Sequence, residues 1–180
     1  MKIIKYILPL FVLLAACDPL KHKEEPQTNG NLSYYDSVYV TADVQWHKNY
    51  YPNLDCEVFS IDLLSEGLSF DSTYHIQGSG LNLYISDIFL PDSTTTLQDG
   101  IYRMDTTAEA FTFLPYMYFE GNITGTYLLE VDNSSIKRHV GFISGEMTVE
   151  NIGEEILLDI ILRDSTSHYH ATYQGPILYR

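Results

Sequence analysis

Residues 36–46 read DSVYVTADVQW. Val38, Val40, Ala42, Val44 and Trp46 fall on even positions, with Ser37, Thr41, Asp43 and Gln45 between them. Side chains alternate faces along a strand, so a period of two predicts a half-buried β-strand here. The same period returns down the chain. Leu81, Leu83 and Ile85 alternate with Asn82, Tyr84 and Ser86. Further runs set Ile123, Tyr127, Leu129 and Val131 together, then Ile143, Met147 and Val149, then Ile156, Leu158, Ile160 and Leu162. A last strand places Tyr169, Ala171, Tyr173 and Ile177 on one face.

Turn-forming residues separate these runs at 132–135, 151–153 and 164–167. Apolar parity slips between Cys56–Val58 and Phe59–Ile61–Leu63, which predicts a β-bulge near Val58. Gly78, Gly80, Gly125 and Gly145 lie inside strand-like runs and suit close backbone approach. Only Thr106–Phe111 reads as a short helix. The pattern predicts an all-β fold, an antiparallel up-and-down meander closing into a calycin- or lipocalin-like β-barrel. Closure would remove aggregation-prone sheet edges. A two-sheet β-sandwich is the second architecture compatible with it.

The chain start has a different character. Lys2 and Lys5 precede an apolar stretch, Tyr6–Ala16, broken by Pro9. About 18 apolar residues would be needed to cross a bilayer, so residues 1–16 read as a signal peptide. Leu14-Ala15-Ala16-Cys17 resembles the lipobox of bacterial lipoproteins. That resemblance implies cleavage before Cys17 and acylation of its sulfur and new amino terminus. Two or more acyl chains hold a protein durably on a membrane. Residues 17–33, with Pro19, Pro26 and a charge cluster, read as the lipidated terminus and a flexible tether. Residues 34–180 then form one domain of about 150 residues, long enough for its own core. Glu24 and Glu25 resemble a surface-export signal, and Asp18 resembles an inner-membrane retention signal. The expected location is the bacterial cell envelope, at the outer membrane or cell surface rather than the inner membrane.

Removing residues 1–16 takes away two lysines and no acid, moving the formal charge from −14 to −16. Such a surface repels phosphate backbones, which excludes nucleic acid as a partner. With Cys17 lipidated, Cys56 has no disulfide partner in the chain and reads as a small buried hydrophobe.

Asp99-Gly100-Ile101-Tyr102, the run from Ile143 to Val149 (ISGEMTV) and the run from Ala171 to Pro176 (ATYQGP) carry a resemblance. They are similar to a family of small gut-bacterial lipoproteins of unknown function with calycin-like, barrel-type domains, over roughly residues 35–179. The resemblance implies a fold and a location, and no reaction.

His168 and His170 leave one strand face together and could form half of a metal site. Thr172 and Gln174 continue that face, so a solvated strand face explains all four, and no cofactor is implied. His47 and His139 would join such a site only if the fold brought them there. Of the fifteen tyrosines, the densest clusters lie at Trp46-His47-Lys48-Asn49-Tyr50-Tyr51 and at Tyr116–Phe119. Trp46, Tyr50 and Tyr51 are candidates to contact a sugar ring or line a pocket, and Tyr116–Phe119 reads as core. Carboxylates abound, but a glycosidase needs two at a set separation, and no nucleophile motif, phosphate-cradling loop or redox pair stands out. The five triplets holding Ser37, Ser72, Ser93, Thr106 and Ser165 each place an aspartate before a hydroxyl residue. They resemble the acceptor motif of a general O-glycosylation system of extracytoplasmic gut-bacterial proteins, with Ser93 and Thr106 the preferred acceptors. Asp-Ser and Asp-Thr also open turns. Together these features predict a lipid-anchored, non-enzymatic β-domain that binds a glycan, a small apolar ligand or an envelope protein. A lipocalin-like carrier with an internal apolar pocket is the first alternative, and an envelope enzyme the second.

Overall fold

A computed structural model describes residues 33–180 apart from Asn49, Glu120 and Gly121. The stretch read as a signal peptide, Cys17 and tether residues 18–32 therefore lie outside the described residues, and Ser33, read as the end of the tether, opens the first strand. The chain enters through β1 (Ser33–Tyr39) and β2 (Thr41–Trp46), crosses to β3 (Cys56–Leu64) and makes a small hairpin, β4 (Leu68–Phe70) and β5 (Ile76–Gly78). It continues through the long β6 (Gly80–Pro91), β7 (Gly100–Met104) and the short β8 (Thr112–Phe113). A second small hairpin, β9 (Met117–Phe119) and β10 (Asn122–Thr124), precedes β11 (Tyr127–Asp132) and β12 (Ser135–Gly141). The domain ends with β13 (Ser144–Ile152), β14 (Glu155–Arg163) and β15 (Ser167–Tyr179).

Hydrogen bonding runs β6–β3–β2–β15–β14–β13–β7–β8 and returns from β8 to β6, so eight strands close a barrel. The β11–β12 hairpin pairs with the first half of β6, while β8 takes the second half. The barrel is mixed rather than a purely antiparallel meander. β15 runs parallel to both β1 and β2, and β7 runs parallel to β8. Joining two open edges satisfies their free N–H and C=O groups whichever way the strands run, and that gain drives closure.

The seam at β15 explains one misread face. Tyr39 pairs with Tyr173 and Ala42 with Ile177, so three steps on one side face four on the other. The frame shifts at Val40. Ala42 and Val44 point inward as the alternation predicts, but Val38 and Val40 are 71% and 57% exposed and Tyr39 is buried instead.

Inside, Phe59, Ile61 and Leu63 of β3 meet Ile85, Ile88 and Leu90 of β6, Tyr102, Phe113, Met147 and the four predicted residues of β14. Most of these side chains have no accessible area at all. A water-sized void beside them would leave some, so they are packed as a core. Burying each apolar side chain contributes about 1.5–3 kcal/mol, an upper figure for a real unfolded chain.

Three local expectations change. Residues Thr106–Phe111 form no helix: Asp105 accepts the Thr107 N–H at 2.9 Å, and Ala108 and Phe111 take positive φ. An aspartate closing on the backbone two residues later favours a turn over a helix. Phe59, Ile61 and Leu63 keep strict parity inward, while Val58 and Cys56 pack in a separate cluster on the outer face. The bulge is real, but the extra residue is in β6: Phe59 pairs with Ile88 and Ile61 with Ile85. Tyr118, read as core, is 68% exposed. Gly125 does serve close approach, because a Cβ there would meet the Pro115 carbonyl.

Candidate functional site

The middle of the outward face of β2, β3 and β6 is polar, and the fold buries it. Asp43, Ser60, Asn82, Ser86 and Asp87 are all buried on this outer wall. Segments from elsewhere cover it. The β4–β5 hairpin packs Phe70 and Ile76 over Leu64, Leu68 and Val131 at one end. At the other end Tyr51, Leu114 and Met117 pack on Val58 and Phe89. Between these apolar caps the polar residues form a stripe with a solvent-open cavity on each side.

The first cavity, about 480 Å³, is lined by Gln45, Trp46, His47, Asp62, Phe70, Tyr74 and Arg180. Asp43 and Asp62 are cross-strand partners beside it, a placement that brings like charges together. Arg180 neutralises one of them, its Nη2 lying 3.0 Å from Asp43 Oδ2. The same guanidinium lies 4.6 Å from the Tyr74 ring centroid. Asp43 Oδ1 is buried without a hydrogen-bond partner. Burial pushes the Asp43 carboxyl up, opposed by Arg180. Asp62 accepts a 2.9 Å bond from Asn82 Nδ2. Its carboxyl is pushed up to about 6, first by burial and then by Asp43, with Asn82 opposing. His47 Nε2 lies 2.8 Å from Ser60 Oγ. That pair is not a nucleophile and base: Ser60 is only 1% exposed, which leaves no room for a substrate carbonyl over its oxygen.

The second cavity, about 580 Å³, is lined by Tyr51, Asp87, Leu114, Met117, Tyr118 and Thr124. The β6 bulge aims Asp87 into it. Asp87 takes φ 48°, and its two oxygens accept Tyr51 Oη at 2.6 Å and Ser86 Oγ at 3.0 Å. Bulges commonly redirect a side chain in this way. Burial, followed by the Asp87 hydrogen bond, holds the Tyr51 phenol protonated well above its usual range.

The aromatic trio from the sequence thus divides. Trp46 lines the first cavity and donates Nε1–H to Glu57 at 2.8 Å. Tyr51 lines the second, and exposed Tyr50 stacks edge-on against it at 4.8 Å between ring centroids. Asp43, Asp62, Asn82 and Asp87 went unremarked as site residues, because polar residues on alternate strand positions read as a solvated face.

The histidines do not assemble. His170 of β15 lies between Asp36 of β1 (2.9 Å) and Asp159 of β14 (2.7 Å). Burial works against its charge, but the hydrogen bonds to Asp159 and Asp36 prevail and raise its pKa. His139 lies between the rings of Tyr116 and Tyr127, and burial lowers its pKa. Among the described residues no group of three His, Cys, Asp or Glu side chains is arranged to hold a metal. Cys56 is half-buried in the outer apolar cluster, and burial raises its pKa.

Ser72, Ser93, Thr106 and Ser165 are exposed, whereas Ser37 is half-buried in β1. In three of the triplets the aspartate closes on the backbone two residues ahead: Asp71 on Thr73, Asp105 on Thr107 and Asp164 on Thr166. Those three aspartates therefore close turns, a role that leaves the exposed hydroxyls of Ser72, Thr106 and Ser165 free.

No family model, curated protein or solved structure matches this chain.

Proposed function

We propose that this chain is a lipid-anchored protein of the bacterial cell envelope whose barrel is a non-enzymatic binding module, working through its outer β2–β3–β6 wall. The observation that carries this reading is the stripe of buried polar groups on that wall, with an open cavity on each side. Burying polar groups costs free energy unless they are bonded, so a fold that spends them on one outer face has a use for that face. The resemblance of residues 14–17 to a lipobox supports the anchor, and the resemblance to small gut-bacterial lipoproteins supports the location.

A small apolar ligand remains the second reading, in a new place. The packed interior leaves no chamber beside the core side chains, whereas Leu114, Met117 and Tyr118 offer an apolar groove outside. Glycan attachment at Ser93 or Thr106 fits their exposure, and intact mass of protein from the native host tests it.

Two measurements test the main reading. Cys17→Ala should move the protein from the detergent phase to the aqueous phase, and continued membrane retention would refute the anchor. Thermal-shift screens against glycans, apolar compounds and envelope proteins should give stabilisation that Asp62→Asn or Tyr51→Phe reduces. Hits that both variants keep, or turnover of any hit, would refute an outer-wall binding module.

A further inference from the structure

We propose that the cavity bounded by Asp62, Trp46, Tyr74 and Arg180 is a binding site for a primary alkylammonium ligand, with Asp62 as its counter-ion. The inference deepens the outer-wall reading and rests on it.

The charges at the site do not balance. Asp43 and Asp62 face each other across two strands, and the guanidinium of Arg180 is engaged with Asp43. Lys48 lies 5.6 Å from the Trp46 ring centroid and Glu57 accepts the Trp46 indole N–H, so three carboxylates still stand against two cations. Asp43 is 2% exposed and still has an oxygen with no hydrogen-bond partner. A buried carboxylate left short of donors is costly, and a second cation relieves that cost for both acids. The whole chain, at −14, concentrates cations around it.

The arrangement also selects the kind of cation. Arg180 shows what a guanidinium does here: it pairs with a carboxylate and lies against an aromatic ring. A second guanidinium would want a carboxylate edge with both oxygens free. Asp62 has Oδ1 engaged by Asn82, so it offers one oxygen to a point charge. An ammonium group is such a charge, with three rotatable donors. Gln45 lines the same wall and brings an amide oxygen. Trp46, Phe70 and Tyr74 supply aromatic surface for the alkyl chain and the cation. A divalent metal is a poorer match, since calcium takes six or more oxygens.

Protonation should control the site. Asp62, Asp43, Glu57, His47, Lys48, Arg180, Tyr74 and the nearby Tyr84 and Tyr127 are the titratable groups around it. As the pH falls through 6, Asp62 takes up a proton and loses its charge. Ligand affinity should therefore fall on acidification.

Trp46 is the only tryptophan in the chain and part of the cavity wall, so its fluorescence reports on this cavity. The test titrates n-butylammonium chloride into the full chain in detergent micelles. At pH 7.5 a saturable change in Trp46 emission is expected, with none from butanol or from sodium chloride at equal ionic strength. Asp62→Asn should weaken binding at least tenfold, and Arg180→Gln should strengthen it several-fold by removing the competing cation. Wild-type affinity should drop at least tenfold between pH 7.5 and pH 5, an arm that needs no variant to fold. No saturable response, an equal response to sodium chloride, or an affinity indifferent to both pH and Asp62→Asn overturns the proposal. Should glycans or apolar compounds bind the outer wall while n-butylammonium leaves Trp46 unchanged, the ammonium site fails and the binding module stands.

Discussion

Along β14 the side chains alternate between complete burial and solvent. Ile156, Leu158, Ile160 and Leu162 point into the barrel, while Glu155, Asp159, Ile161 and Arg163 face outward and exposed. Along β3, separated from β14 by β2 and β15, almost nothing is exposed. Phe59, Ile61 and Leu63 fill the interior, and Val58, Ser60 and Leu64 are buried on the outside as well. Both strands belong to one closed sheet, and each buries an inner face of the same character. The difference is what lies outside them. Nothing covers β14, whereas the β4–β5 hairpin and the segments around Tyr51 and Leu114 cover β3. A barrel wall with a second layer over it can hold desolvated charge, and a bare wall cannot.

The largest expected effect that separates the walls comes from apolar truncation on their outer faces. Leu64→Ala should destabilise the domain by about 2–5 kcal/mol, as a core residue does. Ile161→Ala, outward on β14 and 47% exposed, should stay within about 0.5 kcal/mol. Chemical denaturation of both variants checks this, and equal losses would break the comparison.

A smaller change is expected from Arg180→Gln. Asp43 then keeps its buried carboxylate without the cation that offsets it, a loss of about 1–3 kcal/mol. On the bare wall, the exposed Arg103–Glu146 pair (3.4 Å) should contribute less than about 1 kcal/mol, measured by a double-mutant cycle.

The pH dependence of Asp62 sharpens the contrast further. Its folded pKa of about 6 lies above the ordinary 3.8. Its contribution to stability is therefore fully present below pH 4 and lost as the pH rises through 6. Asp62→Asn should match the wild type at pH 3.5 and melt higher at pH 7.5. An Asn variant that melts lower at pH 7.5 would show that the carboxylate is well compensated.

On β15, beside the bare β14, the pKa of His170 is raised above 6.5 because the hydrogen bonds to Asp159 and Asp36 outweigh burial. Its ion pairs stabilise fully below pH 6.5 and fade as the pH rises through the folded value. His170→Ala should lower the melting temperature slightly at pH 5.5, by less than about 1 kcal/mol. At pH 9 it should have no effect, and a loss that persists there would point to packing instead.

What the sequence determined by itself was whatever depends on local period and turn chemistry. The all-β class and the inward sets on β14 and β15 follow from alternation, whereas the pairing of β8 with β6 made the sheet a barrel rather than a two-sheet sandwich. Asp71, Asp105 and Asp164 close turns, as their positions before hydroxyl residues allow. Tertiary structure alone decided which strands are buried on both sides. Ser60, Asp62, Asn82 and Tyr84 alternate with apolar neighbours as solvated residues do, and the hairpin at residues 68–78 and Arg180 reach them only after the barrel closes. The frame shift at Val40 and the bulge at Asp87 were decided there too, since both arise from pairing with a strand distant in sequence. Period reports the face on which a side chain lies, and burial of that face depends on what the rest of the chain lays over it.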